Sequence, residues 1–286
     1  MAKISQYFSL VTFTHTIFAM PFALTGYIYA LTSTDTAFDW TLLVKILLCM
    51  VFARNAAMGF NRWADRKIDA ANPRTAGREI PSGKISPRAG LIFVIINSAA
   101  FVMTTAFINE LTLILSPVAL IVALGYSLTK RFTALSHIVL GMALAIAPVG
   151  AYISVTGTIA LIPLILAVMV ITWTSGFDIL YSLQDAEFDR QHKLHSIPAK
   201  FSARGAVGIS IALHAVTAAA IILAGIYYGG KTLYWIGAAV YIAMLVVQHF
   251  VFTPTKTRRI ASSFGLINGI TSVSYAIFFI ADMLLR

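Results

Sequence analysis

Asn61, Asp65 and Asp69 recur four residues apart in the stretch NRWADRKID, where a long apolar run gives way to polar sequence. At about 100° per residue, this spacing holds three oxygen-bearing side chains in one sector of a helix, spread over two turns. Such a face suits Mg²⁺, a hard cation commonly bound by one or two carboxylates while substrate phosphates and water complete its octahedron. It equally suits a solvated helix end, the ordinary place for charged residues at a membrane boundary. A second set, Asp178, Tyr181, Asp185 and Asp189, closes another apolar run with helical spacing. Two acidic faces in one apolar chain favour the ion-binding reading.

The elements that carry these faces follow from composition. The chain has 286 residues, 59% hydrophobic and 11% charged, with a mean hydropathy of +0.84. That is too apolar for a soluble domain of this length, so an integral membrane protein is expected. The apolar stretches approach the ~20 residues that a helix needs to cross the hydrocarbon core, and none shows the alternation of a transmembrane barrel. The expected fold is all-α and polytopic, with nine transmembrane helices at about 8–31, 40–60, 89–107, 111–128, 135–154, 159–180, 205–228, 233–252 and 262–285. Residues 1–5 lead directly into a full-length span without a small-residue cleavage site, so no cleavable signal is expected. Cys49 is the single cysteine and lies in an apolar run, which excludes a disulfide framework or a Cys-based metal centre.

A net charge of +10 raises the question of nucleic acid, but the placement of the charge answers it. Seventeen of the 21 basic residues precede span one or fall in the loops after spans two, four, six and eight. By the positive-inside rule those loops and the N-terminus are cytoplasmic and the C-terminus is outside. The basic excess reports topology and predicts no nucleic-acid partner.

Arg54 lies well inside span two, where a charge costs about 2.5 to 3.5 kcal/mol and normally faces a cavity or a partner. It precedes Asn61 by seven residues and so shares the acidic face. An Arg tied to neighbouring helix carbonyls is the plainer alternative. In span one, His15 reads as a packing or hydrogen-bonding residue and Pro21 as a kink. The polar run after Asp69, ANPRTAGREIPSGKIS, reads as a loop over the acidic face, with Arg66, Lys67, Arg74, Arg78 and Lys84 as cations for phosphate or for inner-leaflet lipid. Tyr126 and Lys130, four apart in GYSLTKRFT, either enter one site together or serve as interfacial anchor and topology signal. The loop after the second motif ends IPAKFS and echoes IPSGKIS after the first, so residues 1–286 read as one membrane domain of two degenerate halves with a ninth helix added. His192 and His195 read as loop hydrogen-bonders beside carboxylates that suit a hard cation. Spans seven to nine are rich in small residues for close packing.

Taken together, N-x3-D-x3-D in NRWADRKID, the following NPRTAGREIPSGKIS, YSLTKR, and D-x2-Y-x3-D-x3-D in DILYSLQDAEFD resemble the UbiA-type intramembrane aromatic prenyltransferases. The second motif, YSLQDAEFDRQHKLHSIPAKFS, is most similar to the 4-hydroxybenzoate polyprenyltransferase branch. The resemblance implies nine helices around a central cavity capped by the loops after spans two and six. Asn61, Asp65, Asp69, Asp178, Asp185 and Asp189 match the metal and diphosphate motifs, with Mg²⁺ expected on Asn61, Asp65, Asp69, Asp185 and Asp189. Tyr181, Lys130, Arg74 and Lys193 match positions around the diphosphate. The implied chemistry is ionisation of a polyprenyl diphosphate, with Asp65, Asp185, Lys130 and Tyr181 as its catalytic set. An aromatic acid, 4-hydroxybenzoate or a naphthoate, then captures the allylic cation. Arg54, Asn61, Arg74, Tyr126, Asp178 and Lys193 are expected to contact substrate. The chain departs from the family at HKLHS after Asp189, where many relatives have a Gly-containing stretch. The expectation is an inner-membrane enzyme of ubiquinone or menaquinone biosynthesis. A cation-coupled transporter is the alternative of another class, disfavoured because the acidic sets sit at helix ends beside basic loops.

Overall fold

The computed structural model describes residues 4–11, 19–251 and 257–286, and every regular element among them is helical. In chain order these are α1 (Ile4–Leu10), α2 (Met20–Thr34), α3 (Trp40–Ala64), α4 (Arg66–Ala71), α5 (Pro87–Ala106), α6 (Glu110–Thr129) and α7 (Ser136–Thr156). There follow α8 (Leu161–Ser182), α9 (Ala186–Gln191), α10 (Ile197–Lys200), α11 (Ala203–Tyr228), α12 (Thr232–Val251) and α13 (Thr257–Leu284). Among the described residues, eight helices are long and apolar enough to cross a membrane. The polytopic all-α class expected from the sequence holds. Of the expected first span, α2 supplies 15 residues, and residues 12–18, His15 among them, lie outside the described residues. Pro21 sits in the first turn of α2, where its missing N–H costs nothing, so it starts this helix and does not kink it.

Helix ends are set locally. The Asp39 carboxylate accepts from the Thr41 N–H to start α3, and the Ser86 hydroxyl caps α5 ahead of Pro87. Asn109 caps α6 through Thr112 N and donates its amide to the carbonyls of Ile153 and Ser154, tying α6 to the far end of α7.

Contacts run in two circuits that share α7. One passes through α2, α7, α8, α11, α12 and α13, and the other through α3, α5, α6 and α7. The first is filled by an aromatic core of Phe22, Trp173, Phe177, Tyr234, Tyr241, Tyr275 and Phe279. α8 is the central post: 67% of its apolar window is buried inside the protein, against 17–50% for the other spans. Small residues let the posts touch, for a Cβ on Gly141 of α7 would lie 2.5 Å from the Ile171 carbonyl oxygen of α8. The second circuit is not filled. It encloses a cavity of about 480 Å³ against α8, lined almost wholly by apolar side chains.

Candidate active site

The two acidic motifs meet at one end of the bundle. α3 stops at Ala64, and Asp65 serves both as its C-cap and as the N-cap of α4. The hydrogen bonds from Asp65 N to Asn61 O and from Asp69 N to Asp65 O carry the helical path across this joint. Asn61, Asp65 and Asp69 therefore keep a common side, with Asn61 Nδ2 3.4 Å from Asp65 Oδ2. Asp65 is 1% and Asp69 4% exposed. Buried carboxylates need partners. Asp65 has Lys130 Nζ at 2.7 Å and Arg131 Nη2 at 3.3 Å, both from the connection after α6. Asp69 has Arg78 Nη1 at 2.7 Å, from the loop after α4.

On the second motif, α8 continues through a single 3₁₀ turn, Leu183–Asp185, into α9. Asp185 accepts Arg74 Nε at 2.8 Å and Asn72 Nδ2 at 3.3 Å, so the loop after the first motif grips the second. Burial works against the Arg74 charge, but the hydrogen bond and charge of Asp185 outweigh it and hold the guanidinium pKa above its ordinary value. Arg74 also lies 5.9 Å from the Tyr181 ring centre, between that ring and Asp185. Asp189 accepts from Ser196 Oγ at 2.8 Å, and Asp178 contacts His137 Nδ1 at 2.7 Å.

Lys193 is exposed and, among the described residues, forms no ion pair with these acids. Its backbone is the informative part. It adopts φ +55°, the left-handed conformation that favours glycine, within the HKLHS stretch. Backbone hydrogen bonds hold the turn: Leu194 N bonds Asp189 O and His195 N bonds Lys130 O. His192 stacks on Phe188 at 3.9 Å and acts as a loop residue.

Arg54 and Tyr126 lie below this plane, both lining the cavity between α3, α5, α6, α7 and α8. The acidic residues are absent from its lining, so the cavity begins beneath them. No three acidic, His or Cys side chains among the described residues converge as a ready-made ligand set. The sequence reading missed His137, Asn72 and Ser196. The only signal for His137 was its position in the first turn after a basic connection; Asn72 and Ser196 belong to contacts that only tertiary structure creates.

The UbiA prenyltransferase family profile matches residues 19–275. A 4-hydroxybenzoate octaprenyltransferase from Aliivibrio fischeri (strain MJ11) is 32% identical over 198 residues, spanning 67% of this chain and 69% of that protein. The apo structure of a UbiA homolog from Aeropyrum pernix K1 superposes with TM-score 0.84 at 31% identity, covering 94% of this chain and 98% of that one. A UbiA homolog from Archaeoglobus fulgidus bound to GPP and Mg²⁺ shares the fold with TM-score 0.76 at 19% identity, covering 96% of this chain and 99% of that one. By the extent of these matches, this membrane-embedded enzyme belongs to the UbiA prenyltransferase family.

Proposed function

We propose that the enzyme transfers a polyprenyl group from a polyprenyl diphosphate to 4-hydroxybenzoate, forming a carbon–carbon bond ortho to the hydroxyl. It does so in the bacterial inner membrane with the N-terminus and both acidic motifs on the cytoplasmic side, within quinone biosynthesis. The observation that carries this reading is the meeting of two acidic motifs and four basic side chains above an apolar cavity of about 480 Å³.

Oxygen donors from Asn61, Asp65, Asp69, Asp185 and Asp189 suit Mg²⁺, and the buried Oδ2 of Asp69 has no hydrogen-bond partner among the described residues, as a coordination site would leave it. Bound there, Mg²⁺ would supply the charge that offsets the departing diphosphate. Lys130, Arg131, Arg74 and Arg78 add positive charge at the same place, where preorganised donors act most strongly on developing negative charge. Arg54 offers a guanidinium fork for the acceptor carboxylate, and the apolar walls keep water from an allylic cation. The names of the relatives support the same substrates.

The test is purified protein in detergent with Mg²⁺, farnesyl or longer diphosphate and 4-hydroxybenzoate. Prenylated acid should form, stop with EDTA and return with Mg²⁺. Asp65→Asn and Asp185→Asn should each bring transfer to background, since each removes a charged ligand while keeping its shape. Full turnover in chelator, or cation transport without product, would overturn the reading.

A further inference from the structure

The first carboxylate of the second motif has a partner that lies on neither motif. Asp178 Oδ2 is 2.7 Å from Nδ1 of His137, and among the described residues this is its one hydrogen-bond partner. The Asp178 side chain is 25% exposed, so packing alone does not fix it. His137 itself is 3% exposed, and the contact between α7 and α8 determines where it sits. One turn along, the Gly141 backbone presses on Ile171 with no room for a Cβ. The Ser175 hydroxyl lies 3.1 Å from the His137 carbonyl and 2.6 Å from that of Ile171, so it bridges the same two helices.

The second ring nitrogen reports the tautomer. His137 Nε2 faces the backbone N–H of Ile197 at 3.4 Å, and a backbone N–H can only donate. Nε2 therefore carries the lone pair, and in the neutral ring the proton is on Nδ1, directed at Asp178. Ile197 opens α10, where the loop after the second motif ends. Its side chain is 5% exposed and packs with Ile179 of α8 and Ala206 of α11. Just before it, Ser196 holds Asp189 and His195 N holds the carbonyl of Lys130.

We propose that His137 is a positioning residue for the diphosphate end of the site. Nδ1–H fixes the Asp178 carboxylate, and Nε2 couples it to the loop that orients Asp189 and the Lys130 backbone, so that these groups meet the ligand as one preorganised unit. This inference rests on the Mg²⁺–diphosphate reading above and names a residue outside both motifs that makes it work. Partners that orient a coordinating or anion-facing group are commonly worth ten- to hundredfold in affinity.

The experiment measures binding of Mg²⁺ with inorganic pyrophosphate to full-length detergent-solubilised protein by calorimetry, alongside melting temperature. The variants are His137→Asn, whose amide N–H replaces Nδ1–H, His137→Gln, whose amide stands nearer Nε2, and His137→Ala. We expect His137→Asn to bind within about threefold of wild type, and His137→Gln and His137→Ala roughly ten- to hundredfold more weakly. Ala binding as tightly as wild type would overturn the proposal, as would Asn losing as much as Ala. If Asn, Gln and Ala all weaken binding only in proportion to a shared fall in melting temperature, His137 is a packing residue and the proposal also fails. A wild type that transfers prenyl groups but whose His137 variants bind normally would leave the proposed function standing and remove this inference alone. A wild type that binds no pyrophosphate would overturn the Mg²⁺–diphosphate reading itself.

Discussion

Arg74 forks onto Asp185, with Nε 2.8 Å from Oδ1 and Nη2 2.5 Å from Oδ2, joining the loop after the first motif to a residue of the second that lies 111 positions further along the chain. A bidentate guanidinium–carboxylate pair is a strong, directional contact. Under the proposed function it also sets up a competition, because the carboxylate proposed to bind Mg²⁺ is the one that Arg74 neutralises.

Arg74→Ala should therefore move two affinities in opposite directions. Mg²⁺ alone should bind a few-fold more tightly to the freed Asp185, while KM for the prenyl diphosphate should rise about tenfold with the loss of a charged donor. Arg74→Lys should recover part of the diphosphate effect, since a point charge replaces the fork. Calorimetry with Mg²⁺ and steady-state kinetics check the two halves separately. A parallel loss of both affinities would mean that Arg74 only holds the loop.

Lys130 and Arg131 both pair with Asp65, so the carboxylate keeps one cation when the other is removed. Lys130→Ala should thus leave the fold intact and lower kcat by about tenfold to a hundredfold, through weaker stabilisation of the leaving diphosphate. Tyr126→Phe should have a smaller effect, because a neutral donor is roughly half as strong as a charged one. Single-turnover rates with the two variants decide the order. Equal rates for Lys130→Ala and wild type would return that residue to helix capping and topology.

Much of this site was legible in the sequence because it is periodic. Asn61, Asp65 and Asp69 share one side, and Asp178, Asp185 and Asp189 lie along the continuous path from α8 to α9. The basic loops marked the correct neighbourhood for Arg74, Arg78, Lys130 and Arg131. Which base meets which acid was not legible, because ion pairs such as Arg78 with Asp69 depend on how a polar loop folds back. The joint at Asp65 was also hidden, since hydropathy ends a span where the polar residues begin and says nothing of a helix that restarts. α8 runs on past the sequence-derived boundary at residue 180 for the same reason. His137 carries no spacing signal at all, and only the close approach of α7 to α8 brings it to Asp178.

Lys193 separates a backbone role from a side-chain role. Its left-handed φ of +55° costs a non-glycine residue about 1 kcal/mol, so Lys193→Gly should raise the melting temperature slightly and Lys193→Ala should not. Both variants remove the ammonium. If Nζ meets the diphosphate in the complex, both should raise its KM by the same factor, about two- to fivefold for an exposed charge. Melting curves test the backbone and KM values test the side chain. A Gly variant that loses stability would show that the turn needs the lysine.

The last prediction concerns Arg54, the charge that the apolar run of α3 carries into the membrane. α3 is continuous from Trp40 to Ala64, so seven helical residues separate Arg54 from Asn61, about 10 Å along the axis. Seven steps return nearly to the same direction, which sets Arg54 beneath the acidic plane and on its side. The cavity it lines with Tyr126 is otherwise almost entirely apolar. In the proposed reaction the acceptor lies beyond the diphosphate so that its ring carbon meets the allylic cation, and a carboxylate on that ring calls for a buried cation at this depth. A guanidinium fork answers that need with two parallel hydrogen bonds. Arg54→Ala should raise KM for 4-hydroxybenzoate by about tenfold or more while changing KM for the prenyl diphosphate by less than about twofold, given 1.5 to 3 kcal/mol for hydrogen bonds to a charged group. Arg54→Lys should restore only part of the acceptor affinity. Phenol, which has the hydroxyl and no carboxylate, should lose its disadvantage against 4-hydroxybenzoate in the Ala variant, because the group that told them apart is gone. Normal acceptor KM in a membrane-inserted Arg54→Ala protein would make Arg54 a tie between helices.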